Sequence, residues 1–217
     1  MGTQAPSTEK GRRTRERIVR AAAELVAERG AAAVSLDDVG SRAQASRSQL
    51  YHYFDDRADL IRAVVDATCN AVLDAQDQLL ANLDSWAGIE AWMDALVALQ
   101  LELQARGGCP LGSLAGQLAE RDPEARAALA RGLDSWEARV RTGLVDLRAR
   151  GELSDDADPA ELAKVTMALL QGGLLLTQVR RDPGQLRAAL DAALRLLRAS
   201  SATAGQARAK QLLGAEA

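Results

Sequence analysis

The chain of 217 residues holds one histidine, His52, and two cysteines, Cys69 and Cys109. One imidazole excludes a multi-histidine metal site and most histidine proton relays. Two thiols make neither a disulfide framework nor a cysteine-based zinc site. No metal and no cofactor is therefore expected. Aromatics are scarce, with three Trp, two Tyr and one Phe, and prolines number five. β-Branched runs are missing, which leaves an alanine- and leucine-rich, all-α composition. The longest apolar stretches run for only a few residues, so no membrane-crossing helix is expected. No charged-then-apolar leader opens the chain, and a reducing cytoplasm is the simplest compartment. What is present suffices for a core: at 47% hydrophobic and 26% charged, a chain of this length needs no disulfide or metal to fold.

The net charge of −3 does not mark the whole molecule as a basic nucleic-acid binder. Its distribution is uneven. Within Lys10–Arg20 six basic side chains, Arg13 among them, stand against the single acid Glu16. That local excess is either an electrostatic footprint for an anion or a solvated helix start.

Punctuation and periodicity place the helices. Three prolines follow aspartates, at Asp122-Pro123, Asp158-Pro159 and Asp182-Pro183. Aspartate accepts hydrogen bonds from a first turn, and proline there forfeits none. Glu161 and Gln185 sit three residues after the second and third caps, as in a capping box. The sequence predicts helices over 11–29, 36–43, 47–53, 57–83, 85–105, 111–120, 123–150, 159–181 and 183–199, about nine in all. Residues 1–10 read as a disordered arm and 200–217 as a flexible tail. The domain division expected is 11–56 and 57–199.

Residues 35–57 carry the functional signal. Gln44-Ala45-Ser46 joins two short helices at the length of a helix-turn-helix connection. Ser35 and Ser46 cap them, with Gln49 at the capping-box position of the second. Three of the six aromatics, Tyr51, Tyr53 and Phe54, cluster around the sole histidine. The second helix would expose Arg47, Ser48, Gln49, Tyr51 and His52. Such a face of guanidinium, hydroxyls, amide and aromatic edges suits phosphates and base edges in a DNA major groove. The capped N-termini at Ser35 and Ser46 could also receive phosphate. Phe54, and in part Leu50 and Tyr53, read instead as anchors of a small three-helix domain.

Residues 14–62 closely resemble the DNA-binding domain of the tetracycline-repressor (TetR) family. The resemblance runs through Glu28-Arg29-Gly30, Val34-Ser35-Leu36-Asp37-Asp38-Val39, Ala43 to Phe54, and Asp56-Arg57-Ala58-Asp59-Leu60. It implies a homodimeric, two-domain, all-α transcription regulator, in most members a repressor released from a palindromic operator by a small ligand. Arg47, Ser48, Tyr51 and His52 match the recognition-helix contacts, Arg57 the phosphate-binding residue of the fourth helix, and Phe54 the buried aromatic. Two departures stand out. Gln44 occupies a turn position where the family usually has glycine, and Asp55 adds negative charge near DNA.

The C-terminal part is less specific. The segment at 159–181 is apolar nearly all round, so it must be buried on more than one side. Either it lies wholly inside one subunit, or one face meets a second chain. The latter reading makes Val165, Leu169, Gly173 and Leu176 a dimer seam, with Leu186, Leu190 and Leu194 of the next helix. An effector pocket is expected among the helices from Arg57 to Gly151, with Trp86, Trp92, Met93, Cys109 and Trp136 as candidate liners or plain core. Few ionisable groups fall on inward faces, so an apolar or aromatic effector is expected. An alternative makes Cys109 a thiol sensor of oxidants or electrophiles. No nucleophile, base and orienting group come together in sequence, so an enzyme is not expected.

Overall fold

Helix starts lie where short polar side chains can close a first turn. The computed structural model describes residues 8–203, and among them there are ten α-helices, one 3-10 turn and no strand. Thr8 accepts the N–H of Gly11 at 3.1 Å and opens α1, Glu9–Arg29. Gly30 stops α1 at φ +81°, and its N–H closes on Val26 O at 2.9 Å. A 3-10 turn, Ala31–Ala33, leads to α2, Leu36–Ala43, and α3, Arg47–Tyr53. Asp56 accepts the N–H of Asp59 at 2.8 Å and opens α4, Arg57–Asp74. After α5 (Asp77–Leu80) come α6 (Trp86–Glu102), α7 (Pro110–Leu118), α8 (Pro123–Ala149), α9 (Pro159–Arg180) and α10 (Gly184–Ala199). Both acid-proline starts at Asp122 and Asp158 cap as expected, accepting first-turn N–H groups at 2.9 Å.

Several expectations need correction. The long helix predicted over 57–83 ends at Asp74, and α5 follows as a separate turn after Gln76. Glu161 does not reach back to its cap but pairs with Lys164 at 3.2 Å. Gln185 donates its amide to the Asp182 carboxylate, and α10 begins at Gly184. Of the expected disordered arm, Thr8 caps α1 and Glu9 and Lys10 belong to it; residues 1–7 lie outside the described residues. At the other end Leu153 and Ser201 form an isolated bridge, and Ala202 N–H reaches Glu152 O at 3.1 Å. The expected flexible tail therefore starts with anchored residues, and 204–217 lie outside the described residues.

The chain divides into two compact units, and not at the expected boundary after Asp56. The first takes the described residues up to Asp74 together with Pro110–Leu133; the second takes Ala75–Cys109 and the described residues from Asp134 onward. In the first unit Ile18, Ala22 and Leu25 of α1 are buried, as are Val39, Leu50, Phe54, Leu60 and Val64. Cys69 of α4 is buried where Gly132 of α8 has no side chain; a Cβ there would collide with its sulfur. Cys69 is thus core filler.

In the second unit α9 and α10 form a tight pair. Leu162, Met167, Leu170 and Leu174 of α9 and Leu186, Leu190, Ala193 and Leu197 of α10 are all buried, and the two helices pack on each other. A Cβ on Gly173 would come within 2.9 Å of Ala189 Cβ, so glycine is what lets these helices approach. The Thr177 hydroxyl accepts the N–H of Leu186 at 3.0 Å and closes the α9–α10 corner. This revises the expected seam. Gly173, Leu186 and Leu190 are buried within their own chain. Val165, Leu169 and Leu194 are half-buried, and Leu176 is exposed. Leu175 and Val179, 59% and 71% exposed, extend that outer stripe. By length and composition alone α9 is apolar enough to cross a bilayer, but 44% of its most apolar window is already buried inside the protein.

Candidate nucleic-acid interface

The connection between α2 and α3 is built by two caps and one strained residue. Ser35 accepts the N–H of Asp38 at 3.1 Å, and the Asp38 carboxylate accepts the N–H of Ser35 at 3.0 Å. Ser46 and Gln49 repeat this reciprocal pairing at 3.2 and 2.9 Å. Between the caps Gln44 adopts φ 49°, ψ 45°, the left-handed conformation that glycine takes without cost. The departure from the family pattern thus changes the residue and leaves the turn intact. Gly40 lets the helices meet, since a Cβ there would stand 3.0 Å from Ala45 O and 3.1 Å from Leu50 Cδ1.

On α3 only Leu50 is buried, and Phe54 follows it into the core. Arg47, Ser48, Gln49, Tyr51 and His52 are all exposed. The Arg47 guanidinium lies 5.8 Å from the Tyr51 ring centroid one turn away. Tyr53 is half-buried and meets the His52 ring edge-on at 4.8 Å. Gln49 commits its Oε1 to the Ser46 N–H, which leaves the amide NH2 as its outward group. The Ser35 and Ser46 hydroxyls are occupied by their own helices. These two serines therefore shape the site rather than offer free hydroxyls.

Charge around the helices is structured. Arg42 of α2 reaches Glu28 at 3.0 Å and Glu24 at 3.4 Å, which ties α2 to α1. The hydrogen bond from Arg42 holds the Glu28 carboxyl below its ordinary range, and that from the Ser35 hydroxyl does the same for Asp38. Arg13 is exposed and shares Glu9 with Arg12, at 2.9 and 2.6 Å. Arg15 is drawn inward over the Phe54 ring, 5.3 Å from its centroid. Asp55 is exposed, and its backbone N–H donates to Asp59 at 3.2 Å.

Arg57 has a role the resemblance did not imply. Its Nε donates to Val34 O at 2.7 Å and a terminal nitrogen donates to Ala31 O. The N–H of the same Ala31 donates to Gln117 Oε1 of α7 at 2.6 Å. The Gln117 amide is oriented by its own helix, with Nε2 donating to the Ser113 carbonyl at 3.2 Å. The turn preceding α2 is therefore braced from both α4 and α7. Sequence could not pair these residues, because Gln117 lies 86 positions from its partner.

The other expected site residues fall in the second unit. Trp92, Met93, Cys109 and Trp136 are all buried there. Trp92 Nε1 donates to Gln76 Oε1 at 2.9 Å. Trp86 is half-buried, donates to Glu152 at 3.0 Å and lies under Arg198 at 4.3 Å. Among the described residues no group of histidine, cysteine and acidic side chains could hold a metal.

Known proteins agree with this geometry. Residues 18–64 match the family model described as bacterial regulatory proteins, tetR family, and residues 85–193 match the tetracyclin repressor-like C-terminal domain. An HTH-type transcriptional regulator of Mycobacterium tuberculosis is 32% identical over 181 residues, 77% of this chain and 86% of that protein. The transcriptional regulator AcuR of Cereibacter sphaeroides is 27% identical over 179 residues, 78% of each chain. Among solved structures, a TetR regulatory protein of Rhodobacter sphaeroides superposes with a TM-score of 0.72 at 25% identity, covering 84% of this chain and 97% of the other. With a braced, capped helix-turn-helix at one end of the sequence and the matching helical domain after it, this chain belongs to the TetR family of DNA-binding transcriptional regulators.

Proposed function

We propose that the protein is a ligand-released repressor that binds a palindromic operator as a homodimer in the cytoplasm. One observation carries the DNA half: every polar side chain of α3, from Arg47 to His52, is exposed while Leu50 and Phe54 anchor the helix from beneath. A buried anchor under a polar outer face is what a helix needs to enter a major groove without unfolding its domain. Arg47, Ser48, Tyr51, His52 and the amide NH2 of Gln49 are the base- and phosphate-reading groups. Arg13 on the first turns of α1 supplies an outlying phosphate contact once it is released from Glu9.

Dimerisation uses the outer face of α9 and its continuation on α10. Val165, Leu169, Leu176 and Val179 recur on one side of α9, and Leu196 of α10 is 39% exposed. A stripe of large apolar side chains of this length is covered in most proteins by a partner. A second copy, with its α9 and α10 presented in the same way, supplies a self-complementary apolar face. The effector is held in the interior of the second unit, where Trp92, Met93 and Trp136 lie. Cys109 is buried, which gives the thiol-sensor alternative no support.

The DNA half is tested by operator mobility shifts. Arg47→Ala and Tyr51→Ala each weaken operator binding by about 10- to 100-fold, corresponding to ~1–3 kcal/mol per reading contact, with unchanged helix content. A folded double variant that shifts operator at wild-type concentrations would overturn the assignment of α3.

A further inference from the structure

Among the described residues of the second unit, three buried polar atoms have no hydrogen-bond partner: Gln100 Oε1, Trp136 Nε1 and Gln171 Nε2. Gln100 and Trp136 are 3% and 2% exposed. A desolvated donor or acceptor left without a partner costs about 1–3 kcal/mol, so native interiors leave few of them. Here three fall in one unit, one on each of α6, α8 and α9.

Their positions along the helices set Gln100 and Trp136 toward one end of the unit, with Gln171 about two turns in from it. Trp86 at the start of α6 bonds to Glu152, just past the end of α8. Six residues on, Trp92 bonds to Gln76, whose neighbour Asp77 pairs with Arg139 at 2.7 Å. Later residues of α6 therefore lie beside earlier residues of α8. At ~1.5 Å per residue, Gln100 lies about 12 Å beyond Trp92, and Trp136 about 4.5 Å beyond Arg139 in the same direction. The C-terminal end of the third helix is tied to the end of α6. Arg181, just after α9, donates to Ala105 O at 3.0 Å, and the N–H of Ala105 donates to Gln100 O at 2.7 Å. Gln178 of α9 lies against Gly108, where a Cβ would collide with its Oε1. Gln171 precedes Gln178 by two helical turns on the same face.

We propose that Gln100, Trp136 and Gln171 form the polar end of the effector site, and that this site takes a small uncharged amide: an apolar body carrying one carbonyl and one N–H. The inference rests on the second unit being the effector domain. Two N–H donors, from Trp136 and Gln171, match the two lone pairs of a carbonyl oxygen, and Gln100 Oε1 accepts the ligand N–H. The apolar body lies along the buried stripe of Trp92, Met93, Leu96 and Val97 on α6. An ionic ligand is disfavoured, because the buried polar residues described are Gln100, Thr166, Thr177 and Ser201, none of them charged. An ion there would lose its hydration without gaining a counter-charge.

The test uses the full-length protein with indole-labelled tryptophan and four probes: benzamide, acetophenone, toluene and benzoate. The three tryptophans give separate indole N–H resonances, and the one missing from Trp136→Phe identifies Trp136. Benzamide is expected to move that resonance and to bind about 10-fold tighter than toluene, with acetophenone between them and benzoate weakest. Trp136→Phe and Gln100→Met each remove one unpartnered polar atom; methionine matches glutamine in size, whereas phenylalanine is smaller than tryptophan. Gln100→Met is expected to melt no lower than wild type, and both variants are expected to lose the preference for benzamide over toluene. Should one fail to fold, the other variant and the wild-type resonance decide the matter. Equal binding of benzamide and toluene, a silent Trp136 resonance, or a preference that survives in the variants overturns the proposal. Operator shifts with the same probes separate the two ideas. Benzamide that moves Trp136 without releasing operator sinks the effector reading and leaves the site standing. Operator release by toluene or benzoate with Trp136 unmoved does the reverse.

Discussion

Replacing Arg57 with methionine separates two roles that a basic residue at the start of α4 can play. A phosphate contact and an internal brace both need the guanidinium, but they fail differently. In the structure Arg57 donates to Val34 O at 2.7 Å and to Ala31 O, two carbonyls at the 3-10 turn, of which Ala31 O also takes the Val34 N–H at 3.5 Å. Hydrogen bonds from a charged donor contribute ~1.5–3 kcal/mol each when shielded, and the side chain here is partly in water, so a total loss of about 1–3 kcal/mol is expected. For a chain of this size that lowers Tm by roughly 2–4 °C per kcal/mol. Urea unfolding measures the loss. Operator affinity measured against salt concentration then assigns the role. A phosphate contact removed from each subunit lowers the slope of log K against log salt by ~1 per contact. A brace leaves the slope unchanged, because no counterion is displaced at that position. Gln117→Leu provides the control: it strands the buried Ala31 N–H and costs a similar ~1–3 kcal/mol, whereas Gln117→Glu keeps the acceptor and most of the stability. The two substitutions act on the two peptide groups of one residue, so the double variant should depart from additivity by ~0.5 kcal/mol or more. An Arg57→Met protein of wild-type stability whose salt slope drops would refute the bracing argument.

Two further outcomes follow from the same region. Gln44→Gly relieves a left-handed glutamine and should stabilise the protein by about 1 kcal/mol, seen as a raised urea midpoint, with operator affinity unchanged. An unchanged or lowered midpoint would mean that the Gln44 side chain contributes more than its backbone strain costs. Acid sensitivity should depend on Arg42. Glu28 is held below its ordinary range chiefly by the hydrogen bond from Arg42, and Asp38 by that from Ser35. A carboxyl depressed in the folded state adds stability above the unfolded value and loses it as pH falls through the ordinary carboxylate range to the folded value. Wild type should therefore lose more stability between about pH 7 and about pH 3 than Arg42→Gln does, read as the difference in urea midpoints. Identical losses would show that the α1–α2 ion pairs contribute nothing in solution.

Local chemistry made the helices legible. Ser35, Ser46, Asp122 and Asp158 cap where their side chains allow, and α2 and α3 begin and end at the predicted residues. Each of those signals acts within three or four residues, so no tertiary knowledge is needed to read it. The break between α4 and α5 carries no such signal. The apolar period runs through Asp74 to Asp77 without proline or glycine, and the chain turns there because Gln76 and Asp77 are drawn to Trp92 and Arg139. Those partners lie 16 and 62 positions away. The same distance problem hid Arg57 and Gln117, whose bonds to Ala31 span 26 and 86 positions.

The apolar helix α9 shows where composition stops being informative. Its leucines predict burial on more than one side, but not which leucine meets its own chain and which meets another. That division is set by Gly173, whose missing side chain admits Ala189 and Leu186 and so commits one face to α10. Every other assignment on the helix follows from it: Leu170 and Leu174 turn inward, and Leu175, Leu176 and Val179 are left outside. Gln100 presents the opposite case, a signal that was readable. It continues the stripe of Ile89, Trp92, Met93, Leu96 and Val97 at a core position, where an amide needs a partner. A polar residue in register with an apolar stripe is a departure from the helix's own rule, and such departures are tolerated where something other than stability selects them. On α3 the exposed Tyr51 and Arg47 are the same kind of departure seen from outside, and both point toward a ligand.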